Sequence, residues 1–528
     1  MARCIAKMLG RRSNQMSFAD ADGWWKDIPE GSIWHLMREW SSEHLRDEDF
    51  AAWYSPIGRP SIPPSYVVTL TLLQFREGWS DQQAVQEARF DDRVKYALGV
   101  GRTPEITCDA SSLCRYRARF LEENLGRNLL RQTLGEAQAA GLLGDGEDLI
   151  DSFMVAGAAA RQGTLTLIRQ AIRRVLGEVE EADLAAPSLR RSDYGTRKKP
   201  DLDWGDAAAR SALLQDLVAD ARLLYAHFAS QRDQLPQSLW QSLELLHVVT
   251  EQDITTDESG RVEIAQKVAE DRIISTVDPE MRHGRKTSSL KFDGYKAHVS
   301  VQNRPVGQGA FVTAVAVTGG NVADGDAAPD VLRERQINTG ALPEGLMGDT
   351  SYGGSSVREA LAELAPEMKL TAPVPPASNR AGLFSKDEFT IDLEARTVTC
   401  PAGQTAAIPE RRDPASKGRS QVVFPQVTCA ACPLRAQCVG ERQGPRHLGV
   451  AADEAVRQAE RARQRRPEFQ EHYRERSRVE HCNRLMTAHG GRVSRYFGLA
   501  KTAFQLLLVG VVQNIEELAR AGGFAMST

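Results

Sequence analysis

Residues 148–157 read DLIDSFMVAG, a short apolar run with one acid, Asp151, near its middle. The period of the chain changes there: residues 147–157 predict a β-strand, whereas residues 1–140 read as largely helical. Upstream, residues 65–75 are mostly apolar and follow the stop GRPSIPP. Ser80-Asp81-Gln82-Gln83 has the form of a capping box opening a helix to about Ala88. A third helix is expected over 112–140. Helices this short and closely spaced suit either a DNA-reading module or a packing domain, with Arg115, Arg117 and Arg119 as the exposed basic candidates.

Downstream, residues 165–268 read as mainly helical and include SLWQSLELLHVV. FDGYKAHVSVQ then places Tyr295, Ala297, Val299 and Val301 on one face of a strand, with Lys296 and His298 on the other. GAFVTAVAVT is a second β-rich run, joined to the first by the loop NRPVGQ. VREALAELA predicts a helix after Asp349, and residues 389–399 a small hairpin. The expected class is α/β, a mixed core interrupted by two insertions. Its segments are a helical 1–140, the first core strand in 141–160, a helical insertion over 161–271, core with Asp349 over 272–367, a cysteine-bearing insertion over 368–455, and the Glu480 helix with closing helices over 456–528.

A chain of 528 residues has room for two or three domains, and 41% hydrophobic with 26% charged residues fits a folded, soluble protein. LLLVGVV, at 506–512, is too short to span a membrane. The start, MARCIAKMLGRRSNQMSFAD, lacks the continuous apolar core of a signal peptide, so cytoplasmic residence is expected. A net charge of −4 argues mildly against simply coating nucleic acid, but charge is segregated. Residues 455–501 hold 12 Arg/Lys against five Glu and no Asp, which reads as a solvated helix face, as a phosphate-contacting surface beside Glu480, or as both.

Three acids stand out. Asp151 lies in the strand, Asp349 ends GLMGD before TSYGG, and Glu480 sits in the helical run YRERSRVE. Asp151 and Asp349 are 198 residues apart, so only folding can join them. Such carboxylates can hold two divalent ions about 4 Å apart, an arrangement suited to cleaving and transferring phosphodiester bonds. Asp151 would bridge, with Asp349 completing one site and Glu480 the other; oxygen ligands suit Mg²⁺ or Mn²⁺. Tyr473 and Arg476 precede Glu480 by seven and four residues and share its face. Two readings stand for each: Arg476 neutralises a phosphate or pairs with Glu480, and Tyr473 positions DNA or water or packs. Lys296 and His298 approach the scissile phosphate, or His298 lies on the surface. His283 and Arg285 in RHGRK touch DNA or stay solvated, and Asn321 and Asp324 form a turn with side-chain caps. The chain has no GxxxxGK[ST] loop, so ATP chemistry is not indicated.

Cys400, Cys429, Cys432 and Cys438 are four of only eight cysteines and fall within 39 residues. They read as a structural Zn²⁺ set closing a lobe with little core of its own, or as reduced and incidental thiols. Cys4, Cys108, Cys114 and Cys482 look unrelated to them.

With these motifs the chain resembles the DDE transposases of bacterial insertion sequences, in particular the IS1182-like group of the IS4/IS5 type. The segment from GRPSIPP to KYALG resembles the family's helical N-terminal domain, which implies recognition of element ends. DSFMV matches the setting of the first catalytic Asp, with Phe153 where the family more often has Thr. KFDGYKAHVSV and GAFVTAVAVTGGNVADG resemble the next two strands, and GDTSYGG supplies the second Asp and its Tyr, here Asp349 and Tyr352. Tyr473, Arg476 and Glu480 reproduce the Tyr–Arg–Glu signature. Its later Lys falls at Thr487, so its DNA-holding role passes to Arg484 or is absent. TCPAGQ through CPLRAQC resembles the cysteine-bearing insertion, and the terminal GGRVSRYFGLAK onward the closing helices.

The resemblance implies a ribonuclease-H-like mixed-sheet core with catalytic Asp151, Asp349 and Glu480, acting on double-stranded DNA at element ends and on target DNA. It implies hydrolysis at the ends, strand transfer of the freed 3′ hydroxyl, and a homodimer on DNA. A metal-dependent nuclease without strand transfer and a catalytically impaired, transposase-derived DNA-binding protein are the alternatives.

Overall fold

The computed structural model describes residues 9–10, 23–54, 60–103, 108–266, 269–286, 289–304, 308–374, 382–410 and 419–522. Cys4, most of the first 20 residues and positions 305–307 of the expected hairpin loop lie outside them.

Local chemistry sets the helical half. Helix α1 (Ile33–His44) starts at Ser32, whose side chain accepts the His35 N–H. Helix α2 (Pro64–Glu77) opens on proline and stops at Gly78, at φ 72°. Helix α3 (Asp81–Phe90) has the expected box: Ser80 accepts from the Gln83 N–H, and the Gln83 side chain returns to the Ser80 N–H. Asp91 caps α4 (Asp92–Ala97). The single helix expected over 112–140 is instead two, α5 (Ala110–Glu122) and α6 (Leu125–Ala139). Asn124 between them takes a left-handed φ of 53°, which interrupts the helical ladder.

Strand β1 (Glu147–Ala156) follows. Helices α7 (Thr164–Glu181), α8 (Ala207–Ala229) and α9 (Gln237–Glu251), with the hairpin β2 (Ile254–Thr256) and β3 (Val262–Ile264), form the helical insertion. It buries a core of its own that includes Leu167, Ile172, Leu217 and Leu243. The main sheet resumes with β4 (Arg282–Arg285), β5 (Lys291–Gln302) and β6 (Val312–Gly319), then α10 (Ala328–Thr339), β7 (Gly345–Met347), α11 (Ser355–Leu364) and β8 (Lys369–Thr371).

The sheet is mixed, in the order β4-β5-β1-β7-β8, with β6 also on β5. Strand β5 runs antiparallel to β1 from Asp148↔Gln302 to Ala156↔Gly294. Strand β7 runs parallel to β1 but pairs only with Glu147, Asp148 and Leu149. Past Leu149 the β7 flank of β1 is open until the bridge Ala156↔Val493, and the chain leaves β7 just before Asp349.

Both sheet faces are covered. Leu149, Val155, Tyr295 and Val299 face a core shared with α2 and α6; Ile150 and Ala314 pack with Val331, Leu361 and Tyr352 on the other side. His298, expected at the phosphate or on the surface, is therefore fully buried. Alternation along a strand separates two faces, but it tells core from solvent only when one face is wet.

The cysteine-bearing lobe comprises the meander β9 (Thr390–Asp392), β10 (Thr397–Thr399) and β11 (Thr405–Ala407), then β12 (Arg419–Val423), α12 (Gln426–Ala430), α13 (Arg435–Cys438) and β13 (His447–Ala451). Contrary to expectation it has a core of its own: Phe389, Val398, Val422, Phe424, Leu448 and Val450 are buried together. Helices α14 (Glu454–Gln464), α15 (Pro467–Tyr473), α16 (Ser477–Met486) and α17 (Leu499–Arg520) close the chain. LLLVGVV lies on α17, packed in the core that also holds the N-terminal helices, where each buried Leu or Val contributes about 1.5–3 kcal/mol. Among the described residues no helix is long and apolar enough to cross a membrane.

Candidate active site

Asp151, Asp349 and Glu480 line one cleft of about 650 Å³. It opens where β7 ends, so the edge of β1 beyond Leu149 is exposed to side chains from elsewhere. The turn after Asp349 is sterically tight: a Cβ on Gly353 would stand 1.9 Å from the Pro373 carbonyl oxygen. Asp349 itself accepts the Ser351 N–H at 2.8 Å.

Glu480 arrives on α16, which continues α15 through a 3₁₀ turn at Arg474–Arg476. Arg476 joins the acids: its Nη1 lies 3.8 Å from Asp151 Oδ1, and its Nη2 donates to Glu480. Asn483, three residues after Glu480, donates its Nδ2 hydrogen to Asp151 Oδ2 at 3.1 Å. Burial pushes the Asp151 carboxyl up to about 6; the Ser152 N–H and Arg476 oppose this, and the charges of Asp349 and Glu480 add to it.

Lys296 lines the cleft and donates to Asp324 Oδ1 and the Val322 carbonyl, both at 2.8 Å. Asp324 is thus an ion-pair partner in the cleft and not the expected turn cap; Asn321 donates to the Glu270 carbonyl at 3.3 Å. Arg285, Lys286, Arg484 and Arg492 add positive charge to the walls, and Phe153 and Thr487 also line them. Arg484 donates to His481 Nδ1 at 2.9 Å. Tyr473 is half-buried and stacks on Phe469 at 5.7 Å, and burial raises its hydroxyl above the ordinary range. Tyr352 is fully buried beneath the Asp349 turn.

His298 does not reach the cleft. Its Nε2 meets Thr318 Oγ1 at 2.8 Å, and burial lowers its pKa to about 4. His283 pairs with Asp293 at 2.5 Å. Arg117, expected to be exposed, is buried: it pairs with Asp81, and its guanidinium lies 5.7 Å from the Tyr496 ring centroid. Arg119 pairs with Glu123 at 2.8 Å, and Arg115 donates to Ser112 at 3.2 Å. Within the basic run, Arg457 and Arg461 are held by Asp453 and Asp387, whereas Arg476, Arg484 and Arg492 line the cleft.

Sequence reading missed Asn483, Lys286 and Arg492. Only Asn483 had a usable signal, its spacing of three from Glu480 on one helix face.

Two metal sets were expected. The catalytic acids offer only oxygen, which fits a hard divalent cation, although they do not close around a single point. Among the described residues the group with ligand atoms all within 4.8 Å is Glu147, His472 and Glu475, close enough to hold a metal ion. These three already hydrogen-bond: His472 meets Glu147 at 2.9 Å, and Asn303 donates to Glu147 and Glu475. The four cysteines line one small cavity of about 30 Å³, with Arg435 and Arg446 beside them. Among the described residues no three of their sulfurs meet that 4.8 Å spacing.

Residues 399–519 match the family model described as Transposase DDE domain, and residues 24–119 match Transposase domain (DUF772). The first match carries Tyr473, Arg476, Glu480 and Asn483; the second runs from before α1 into α5. No curated protein and no solved structure matches the chain. The two family matches indicate a DDE-type transposase domain.

Proposed function

We propose that this protein is a DDE transposase of the IS1182-like kind, built on a ribonuclease-H-like core, that cleaves DNA at the ends of an insertion sequence and joins the freed 3′ hydroxyl to target DNA. One observation carries the reading: an acid from the middle of a strand, one from a strand end and one from a late helix line a single cleft whose walls also present Arg285, Lys286, Lys296, Arg476, Arg484 and Arg492.

Asp151, Asp349 and Glu480 would hold Mg²⁺ or Mn²⁺, and the repulsion that helps raise the Asp151 pKa is the kind a cation relieves. When bound, the ions supply activation of the attacking oxygen and stabilisation of the leaving one. The protein's own groups do the rest. Arg484 and Arg492 are exposed on the cleft wall and meet phosphate charge, and Lys296, fixed by Asp324, adds a charge at a set place. Tyr473, braced by Phe469, borders the helix that brings Arg476 and Glu480. The N-terminal helices would read element ends, and a homodimer would assemble on DNA in the cytoplasm.

The test uses labelled DNA spanning the ends that flank the gene, with Mg²⁺ or Mn²⁺, comparing wild type with Asp349→Asn. Joined products lost in the variant support transposition. Cleavage without joining selects a nuclease, and end binding with no metal-dependent product selects a DNA-binding derivative.

A further inference from the structure

Asn483 lies on the inward side of α16 with Val479, Cys482 and Met486 and is only 7% exposed. Its Nδ2 donates to Asp151 at 3.1 Å, while its Oδ1 is buried and has no hydrogen-bond partner. The amide orientation follows from chemistry: an ionised carboxylate only accepts, so the N–H end must face Asp151 and the carbonyl end must face away. A buried amide satisfied at one end only is unusual and calls for a physical cause. The residue also lines the cleft.

Asp151 is therefore gripped by two residues flanking Glu480, Arg476 four positions before it and Asn483 three after. The two grips differ. Arg476 is a cation that also holds Glu480, so it competes with a metal ion for the same carboxylates. Asn483 is neutral and can keep its bond to Asp151 when a cation is present.

We infer that Asn483 is a positioning residue of the metal-ion cleft: its N–H fixes the Asp151 carboxylate, and that charge-assisted bond holds the amide with its carbonyl end buried and unpaired. The inference rests on the metal-ion reading of the cleft proposed above. Outer partners of this kind typically change metal affinity 10–100-fold when removed.

The test is Mn²⁺ titration by calorimetry of the full-length chain without DNA, for wild type, Asp151→Asn, Asn483→Leu and Asn483→Asp. The expected result is roughly a 10–100-fold loss of affinity in Asn483→Leu, which removes the N–H while keeping a side chain of similar bulk. Unchanged affinity in Asn483→Leu, alongside a clear loss in Asp151→Asn, overturns the role of Asn483 alone. Unchanged affinity in Asp151→Asn overturns the metal reading of the cleft, and the inference with it. Should Asn483→Leu not fold, melting of Asn483→Asp decides. A positioning role predicts a lower melting temperature than wild type in chelator and a larger rise on adding Mn²⁺. A packing role predicts the same rise as wild type, which overturns the proposal.

Discussion

Asp148 and Asp151 stand three residues apart on β1 and serve opposite faces of the sheet. Asp148 is fully buried and accepts from Ser300 Oγ at 2.8 Å, Thr313 Oγ1 at 2.7 Å and Arg335 Nε at 3.4 Å. Asp151 faces the cleft and accepts from Asn483. One acid ties the sheet to α10, and the other is available for chemistry.

Truncating Asp148 removes the buried charge partner of the fully buried Arg335 guanidinium and leaves only the exposed Asp145 at 3.9 Å. Breaking a buried pair in this way costs about 3–5 kcal/mol. Urea unfolding of Asp148→Ala is expected to show a loss of that size, and a loss below about 1 kcal/mol would contradict the assignment.

The Asp151 carboxyl, pushed up to about 6, should make metal-free stability pH-dependent. An unfolded aspartate titrates near 4, so between about pH 4 and pH 6 the folded state holds a proton that the unfolded chain has lost. Stability therefore falls as pH rises through this window and levels off above it, by an amount on the order of 3 kcal/mol. Asp151→Asn removes the titration. In chelator the variant is expected to be more stable than wild type at pH 7.5, with the gap closing near pH 4. A gap that does not vary with pH would point to some other cause.

Arg476 occupies the charge position between Asp151 and Glu480. Replacing it with glutamine should free both carboxylates for a cation and tighten Mn²⁺ binding without DNA by roughly tenfold. The same change is expected to lower DNA cleavage by about 10²-fold, because a fixed donor to the reacting phosphate is lost. Weaker Mn²⁺ binding in Arg476→Gln would mean that the arginine supports the site and does not compete for it.

The cysteine-bearing lobe should stand without zinc, because Phe389, Val422, Phe424 and Leu448 already bury a core. Hydrogen exchange over 419–451 is expected to be the same before and after chelator treatment. Phe424→Ala should instead loosen that segment, at about 3–5 kcal/mol. A chelator that melts the lobe would instead support the zinc reading.

Where a feature depends on neighbours in sequence, the residues alone revealed it. The β1 strand around Asp151, the Ser80–Gln83 capping box, and the Arg476–Glu480 pairing one turn apart on a helix are all legible as short-range patterns. So are the three acids as candidates, through the motifs that surround them. Such patterns reflect backbone periodicity and side-chain reach over a few residues, which do not depend on the rest of the molecule.

Only the tertiary structure decided which of these groups meet, and which lie dry. Arg117 and Arg115 read alike in sequence, yet packing against Asp81 and Tyr496 buries the first and leaves the second exposed. His298 follows Lys296 on the same strand face, but the lysine borders the cleft and the histidine is fully buried. Asp148 and Asp151 share one apolar strand, and their roles part because each side of the sheet offers a different partner. Burial and long-range contact are properties of the packed whole, because the solvent that would reveal a residue's role is removed by elements hundreds of residues away.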